Sequence, residues 1–428
     1  MSADNKIYSP KTHGTSKSYR SYVLLSLSFV YALNFIDRQI LSILAEPVKG
    51  ELGLRDWQIG FLTGTAFAIF YATLGIPIAR LADRWHRVNV LSLCVGLWSF
   101  MTAACGLITN FAQLALMRVG VAIGEAGGSP TSASIISDYF PAEKRSSAMG
   151  IYTLGASIGT LGGFVIGGWV NEMLGWRWAF FIAGVPGILM ALVVKLTVKE
   201  PIRGMSERAA VNEELPPFRS VFRTLWAIRS YRSAVLGATA ASLYIYGVLV
   251  WVPIYTIRTF DVGTGVTGTA IGLIVGLAGG AGTLLGGLLA DRLAGHGRDW
   301  PMRLAAITHV LSAPLFIAAL AAQSFIAFIA LLAPCYFLAV AYNGPVWAAM
   351  QSASPLRMRA MATAIFLLVL NLVGLGLGPQ IVGILSDVFQ ARYGEDGLRL
   401  ALAMLVASGV LGAWFFNKEA VALKAGDG

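Results

Sequence analysis

The sequence predicts an all-α polytopic membrane protein, with twelve transmembrane helices in two six-helix bundles related by a pseudo-two-fold axis along the membrane normal. Three observations carry this. The chain has 428 residues, 56% hydrophobic and only 13% charged. Soluble proteins carry about 25% charged residues, so a polar surface cannot be assembled here. Roughly twelve apolar stretches have the ~20-residue length that a spanning helix needs. Finally, the two halves of the chain repeat.

The spans in order are 21–45, 57–81, 88–107, 111–138, 147–173, 177–196, 232–257, 267–290, 303–322, 324–350, 360–388 and 397–416. Barrel strands are about 10 residues long and alternate apolar with polar. These runs are about twice that length and do not alternate, so helices are expected. Residues 1–20 read as a polar cytoplasmic tail without a cleavable signal. The first bundle covers 21–198 and the second 232–418, with a cytoplasmic C-terminal tail at 419–428. Between the bundles, 199–231 is charged and holds Pro201, Pro216 and Pro217. It reads as a cytoplasmic linker, part of it an amphipathic surface helix.

The net charge of +10 follows topology rather than marking a nucleic-acid groove. With the N-terminus inside, the inner loops hold Arg80, Arg84, Arg87, Lys144, Arg145, Arg219, Arg223, Arg229, Arg292, Arg298, Arg303, Arg357 and Arg359, among others. The outer loops hold Lys49, Arg55, Arg177, Arg258, Arg392 and Arg399. A bias of roughly four to one sets both termini in the cytoplasm, and anionic lipid contact is a further expectation. No Asn-x-Ser/Thr site occurs, which favours a bacterial cell (inner) membrane. Cys94, Cys105 and Cys335 all lie in apolar runs, so no disulfide framework is expected.

The repeat rests on two matched pairs. "ARLADRWHR" (79–87) ends the second span and "GLLADRLAG" (287–295) the eighth, which matches Asp83 to Asp291. The end of the fourth span leads from Pro130 to Arg145 and the end of the tenth from Pro345 to Arg359, at an offset of roughly 200 residues like the first pair. Two matches in order at equivalent topological places argue for a parallel six-helix repeat.

Asp37, Arg38, Arg118 and Glu125 are the ionisable residues well inside the spans. Each costs roughly 2.5–3.5 kcal/mol at a helix centre, so they must pair or face water. Arg118 and Glu125 are seven residues apart, nearly two turns, and share one helix face about 10 Å apart along the axis. Asp37 and Arg38 point about 100° apart and can address different partners. A carboxylate beside arginine and one drawn away into a drier site differ in proton affinity. Rocking that alters those distances therefore links protonation to conformation. Arginine also suits an anionic head group, because its fork binds two oxygens. The bland alternative is a static lock between two helices.

"LADRWHR" resembles the loop motif between helices two and three of the major facilitator superfamily, with Ala79 and His86 where glycines are common. "GASIGTLGGFVIGGW" (155–169) is similar to its glycine-rich fifth helix, without the Gly-Pro pair. "NFIDRQIL" (34–41) and "RVGVAIGEAGGSPTSASIISDYFPAEKRSSAMGIY" (118–152) resemble spinster-like transporters. The resemblance implies a monomeric, proton-coupled secondary transporter that moves a lysolipid or sphingolipid by alternating access. Symport or antiport of a small organic anion or drug is the alternative. It also implies that the first and fourth helices are neighbours, which joins the four charges into one cluster. Asp37, Glu125, Arg118 and Arg38 are then the proton-coupling residues, with Arg118 the partner of Asp37 and Glu125 or a substrate anion the partner of Arg38.

Arg38, Arg118, Asn34, Ser129, Tyr246, Tyr342 and Asn343 are the expected substrate-binding residues. In the same picture Asp83, Arg84, Arg145 and Asp291 form cytoplasmic gates, the two acids facing helix starts near 359–362 and 146–149. The glycines at 155, 159, 163 and 167 read as a packing stripe. Those from 276 to 287 lie in a span with no strand before them, so no nucleotide-binding loop is read there. The four histidines are scattered and no nucleophile motif appears, so no enzyme, metal site or cofactor is expected.

Overall fold

The computed structural model describes residues 16–202 and 218–425. The side chain of Asp83 also lies outside the described residues. Among those described, twelve spanning helices form two six-helix bundles. The first bundle contains α1 (Lys17–Leu52), α3 (Arg87–Ala104), α4 (Phe111–Tyr139), α5 (Ala142–Leu174) and α6 (Trp176–Thr197). Its α2 runs continuously through Asp56–Gly60, a π turn at Phe61–Thr65 and Ala66–Arg84. In the second bundle, α7 is Arg229–Phe260, α9 Trp300–Leu320 and α12 Gly397–Ala425. Two of its helices carry π turns: α8 (Thr264–Leu273, Ile274–Ala278, Gly279–Ala294) and α11 (Arg359–Val369, Leu370–Leu375, Gly376–Tyr393).

The bundles repeat in packing as well as in sequence. In the first, α3 lies against α4 and α6, α2 against α4, and α1 against α5. In the second, α9 lies against α10 (Phe325–Val340 and Asn343–Ala353) and α12, α8 against α10, and α7 against α11. The glycine stripe on α5 explains the closest of these contacts. A Cβ on Gly155 or Gly159 would collide with the carbonyl oxygens of Ser28 or Ala32, so α1 and α5 touch backbone to backbone.

One expected span is interrupted. Where the sequence predicts a single helix over 324–350, α10 is Phe325–Val340 followed by Asn343–Ala353. Pro345 stands four residues after Ala341 and has no N–H to donate to the Ala341 carbonyl, so that turn lacks its usual bond. That carbonyl sits against Gly286 of α8, where there is no side chain to meet it.

Between the bundles, Phe218–Ala227 forms a separate linker helix packed on the start of α7 and of α11. The rest of the linker, 203–217, lies outside the described residues. Lys17 and Ala425 open and close the described helices at one face of the molecule, the termini face. Arg87 and the linker helix belong to that face, while Asp56 and Arg258 belong to the opposite one.

Candidate functional site

The four buried charges meet midway along the first bundle. Arg38 donates from Nε to Glu125 Oε2 at 2.6 Å. Glu125 is fully enclosed, whereas the Arg38 side chain is 18% exposed and reaches the space between the bundles. Its guanidinium lies 5.4, 5.1 and 4.7 Å from the ring centres of Phe35, Phe67 and Tyr71. Phe67 also takes the Arg118 guanidinium at 5.4 Å, so one ring stands between two cations. Tyr31, Tyr71 and, from α7 of the other bundle, Tyr246 stand around Arg38.

Asp37 is placed differently from expectation. It is 1% exposed, and neither carboxylate oxygen has a hydrogen-bond partner. Arg118 and Glu125 are within its electrostatic reach, yet no ion pair joins it to Arg118. Arg118 Nε and Glu125 Oε1 are unpartnered too. Buried polar groups left in this state are costly and uncommon. The cluster sets two acids against two bases but is incompletely bonded, and has capacity for a proton, a water or a ligand oxygen.

Among the expected binding residues, Asn34 lies buried beside Glu125, and Ser129 beside Tyr31 and Tyr152. Tyr31 and Tyr152 stack at 4.4 Å. Tyr246 is half-buried and stands within reach of Arg38 across the interface, and Asn343 is half-buried at the start of the second segment of α10. Tyr342 is set back: it stacks on Phe416 and meets His309 edge-on inside the second bundle. His309 is itself fully packed, against Tyr244, Tyr342 and Phe416.

At the termini face, Arg84 and Asp291 are exposed, and Asp291 makes no ion pair with a described residue. Arg145 donates to the Ser137 carbonyl oxygen at 3.0 Å. A network not foreseen in the sequence lies beside them. Arg87 donates to Glu200 (2.8 Å), Asp138, Ser134 Oγ (2.9 Å) and the Pro201 carbonyl (2.9 Å). It ties the start of α3 to the end of α4 and to the beginning of the linker.

The opposite face closes the molecule. Asp56, at 0% exposure, accepts from Lys49 (2.6 Å), twice from Arg258 (2.9 and 2.8 Å) and from Ser386 (2.6 Å). Arg258 also donates to Glu46, at 2.8 Å. Asp387 in turn accepts from the backbone N–H groups of Asp56 (3.1 Å) and Trp57 (2.9 Å). This knot joins α1 and α2 of one bundle to α7 and α11 of the other. Sequence reading took Lys49 and Arg258 only as loop charges, although an acid and a base at facing helix ends were there to be paired. Beside the knot, Gly60 and Gly64 bring α2 onto the Pro379 and Gly376 carbonyls of α11. In the pseudo-symmetric contact, Gly168 brings α5 onto Thr264, and Gly268 brings α8 onto Phe164.

A separate groove of about 540 Å³ lies on the outer surface between α5, α8 and α10, lined by Trp169, Val266, Leu273, Leu277, Ile329 and Ala333. Its walls are apolar and it is remote from the charges.

Comparisons with known proteins agree with the two-bundle fold. The model of the Major Facilitator Superfamily matches residues 27–379. The chain belongs to this superfamily. A solved structure of a bacterial homologue of the human lysosomal transporter Spinster, inward-facing and unoccupied, superposes with a TM-score of 0.87 at 31% identity. The match covers 96% of this chain and 99% of that one. An MFS-type efflux pump of Mycolicibacterium smegmatis is 33% identical over 92% of this chain and 91% of its own length. Rat spinster homolog 1 is 27% identical over 58% of this chain, which spans 47% of that protein. The protein is thus a multi-pass membrane transporter related to spinster, and not an enzyme.

Proposed function

We propose that this superfamily member is a proton-coupled secondary transporter that moves an amphipathic, lipid-like anion of the lysolipid or sphingolipid class by alternating access. The observation that carries the reading is the cluster itself. Arg38 is held by Nε to Glu125, has the Tyr71 hydroxyl within hydrogen-bond reach, and keeps part of its side chain open to the space between the bundles. Asp37, beside it in sequence, has neither oxygen in a formed hydrogen bond, with the Thr102 hydroxyl, Arg118 and Glu125 as its polar neighbours. An anionic head group docks on the Arg38 fork, and its apolar part lies along the tyrosines and the second bundle. The proton is carried by Asp37 or Glu125, whose distances to Arg118 and Arg38 change as the bundles rock.

The positive-inside bias makes the termini face cytoplasmic. The knot at Asp56 then closes the outside, and the site faces inward. In this orientation an impermeant maleimide applied to intact cells labels Gly50→Cys and leaves Thr224→Cys unlabelled until the membrane is opened. The reverse pattern refutes it.

Purified protein in liposomes tests the coupling. Flux of labelled lysolipid driven by a pH gradient is expected in the wild type and lost in Asp37→Asn, with ungated exchange retained. Undiminished gradient-driven flux in that variant removes Asp37 from the mechanism. A second reading has specific support: the efflux pump above, and the probable L-galactonate transporter of Escherichia coli, 30% identical over 66% of this chain and 64% of its own length. Transport of a hexuronate-like anion or a drug, with no lysolipid flux, decides for it.

A further inference from the structure

We infer that the linker helix Phe218–Ala227 is a docking site for the anionic head groups of phospholipids in the leaflet at the termini face. The helix has two chemically distinct sides. Val221 and Leu225, at 2% and 0% exposure, are buried against the second bundle in one cluster with Tyr231, Ala362, Ile365 and Phe366. The other side carries Arg219 and Arg223, both exposed, one turn apart. Arg229 continues the exposed row at the start of α7. Arg232 there is also exposed and donates to the Trp226 carbonyl oxygen at 3.3 Å.

The counter-charge for this row is not supplied by the elements on which the helix rests. No acidic residue occurs from 218 to 260 in the linker helix and α7, or from 353 to 386 around the first turns of α11. At the start of α11 stand two more arginines, Arg357 and Arg359. None of Arg219, Arg223 and Arg229 forms an ion pair or side-chain hydrogen bond with a described residue. Arg219, Arg223 and Arg229, with no partner among the described residues, are open to an external anion.

Position selects which anion. The helix ends at Ala227 and α7 enters the apolar layer directly after it, so the arginines stand at head-group depth. Phe222, 39% exposed, stacks on Trp226 at 5.5 Å and 13°, placing two aromatic rings where amphipathic rings sit in a membrane interface. A short helix with an apolar face on protein, aromatic rings at its rim and arginine on the free side is suited to the phosphates of an anionic leaflet. The guanidinium fork grips two phosphate oxygens at once. A soluble polyanion offers the charge but no apolar layer for the rings.

The test uses the full-length protein in phosphatidylcholine vesicles containing phosphatidylglycerol, with bromine on the acyl chains of one lipid or the other. Quenching of Trp226 is read as the difference between wild type and Trp226→Phe. Brominated phosphatidylglycerol is expected to quench Trp226 beyond its mole fraction, with a local enrichment on the order of tenfold. Arg219→Gln with Arg223→Gln should equalise the two lipids, whereas the paired lysine substitutions should retain part of the preference. Both arginines are exposed, so packing is untouched by either pair. Equal quenching by the two lipids in the wild type overturns the inference, and so does a preference that persists in the glutamine pair.

Discussion

Arg38 shows most directly how single side chains set the chemistry. Its Nε is committed to Glu125 and its plane is flanked by Phe35, Phe67 and Tyr71. Lysine keeps the charge but cannot form the fork, stack on the rings and hold Glu125 at once. Arg38→Lys is therefore expected to weaken binding of an anionic amphiphile by roughly tenfold, since one charge-assisted hydrogen bond is worth about 1.5–3 kcal/mol. Equilibrium binding in detergent checks this, and unchanged affinity removes Arg38 from the site. The four charges were legible in the sequence because their cost in lipid demands a reason. Their partners were less so. Which oxygen meets which nitrogen depends on helix rotation, and this leaves Asp37 without the Arg118 bond expected for it. Phe67 is not legible in the sequence, because an apolar residue in an apolar run carries no signal until two cations are brought against it. Tyr31, Phe35 and Arg38, at steps of four and three, share one helix face, yet nothing in that spacing marks the two rings as a cage.

Among the helices, α5 depends most on what its residues lack. Gly159 leaves no room for a Cβ because the Ala32 carbonyl oxygen occupies that space, whereas a Cβ on Gly280 of α8 meets nothing within 4 Å. The same substitution should thus have opposite signs. Gly159→Ala forces α1 and α5 apart and is expected to cost about 1–3 kcal/mol. It also shifts Asp37 and Arg38, which ride on α1. Gly280→Ala is expected to be neutral, or to stabilise by up to about 1 kcal/mol through helix propensity. Thermal unfolding of the purified variants distinguishes the two, and equal destabilisation defeats the packing argument. The stripe was readable from its period of four. The break in α10 is not legible: hydropathy gives the length of a span and is blind to a missing N–H within it, and Pro130 and Pro334 sit inside unbroken helices. The π turns in α2, α8 and α11 have no compositional mark, since each adds one residue to a turn without changing the type of side chain.

At the scale of the whole molecule, the sequence shows two halves and the structure shows which face they close. The closure rests on Asp56, a fully buried acid that accepts four hydrogen bonds, two of them from Arg258 and one from Ser386 across the bundle interface. Every transport cycle that opens this face must break the knot. Breaking a buried, hydrogen-bonded pair by removing one partner costs about 3–5 kcal/mol. That cost falls only on the closed arrangement, so its loss shifts the equilibrium towards opening. A shift of about 1.4 kcal/mol already changes the populations tenfold. Asp56→Asn keeps the shape and the Ser386 contact but gives up the charge that holds Lys49 and Arg258. Spin labels on Gly50→Cys and Glu395→Cys, both exposed at this face on different bundles, read the outcome as a distance distribution. A longer population should appear in Asp56→Asn and be minor in the otherwise unchanged protein. Glu46 helps hold Arg258, so Glu46→Gln should move the distribution the same way by less. If both variants reproduce the parent distribution, closure depends on the glycine contacts of α2 with α11 and α5 with α8, and the ion knot is only their consequence.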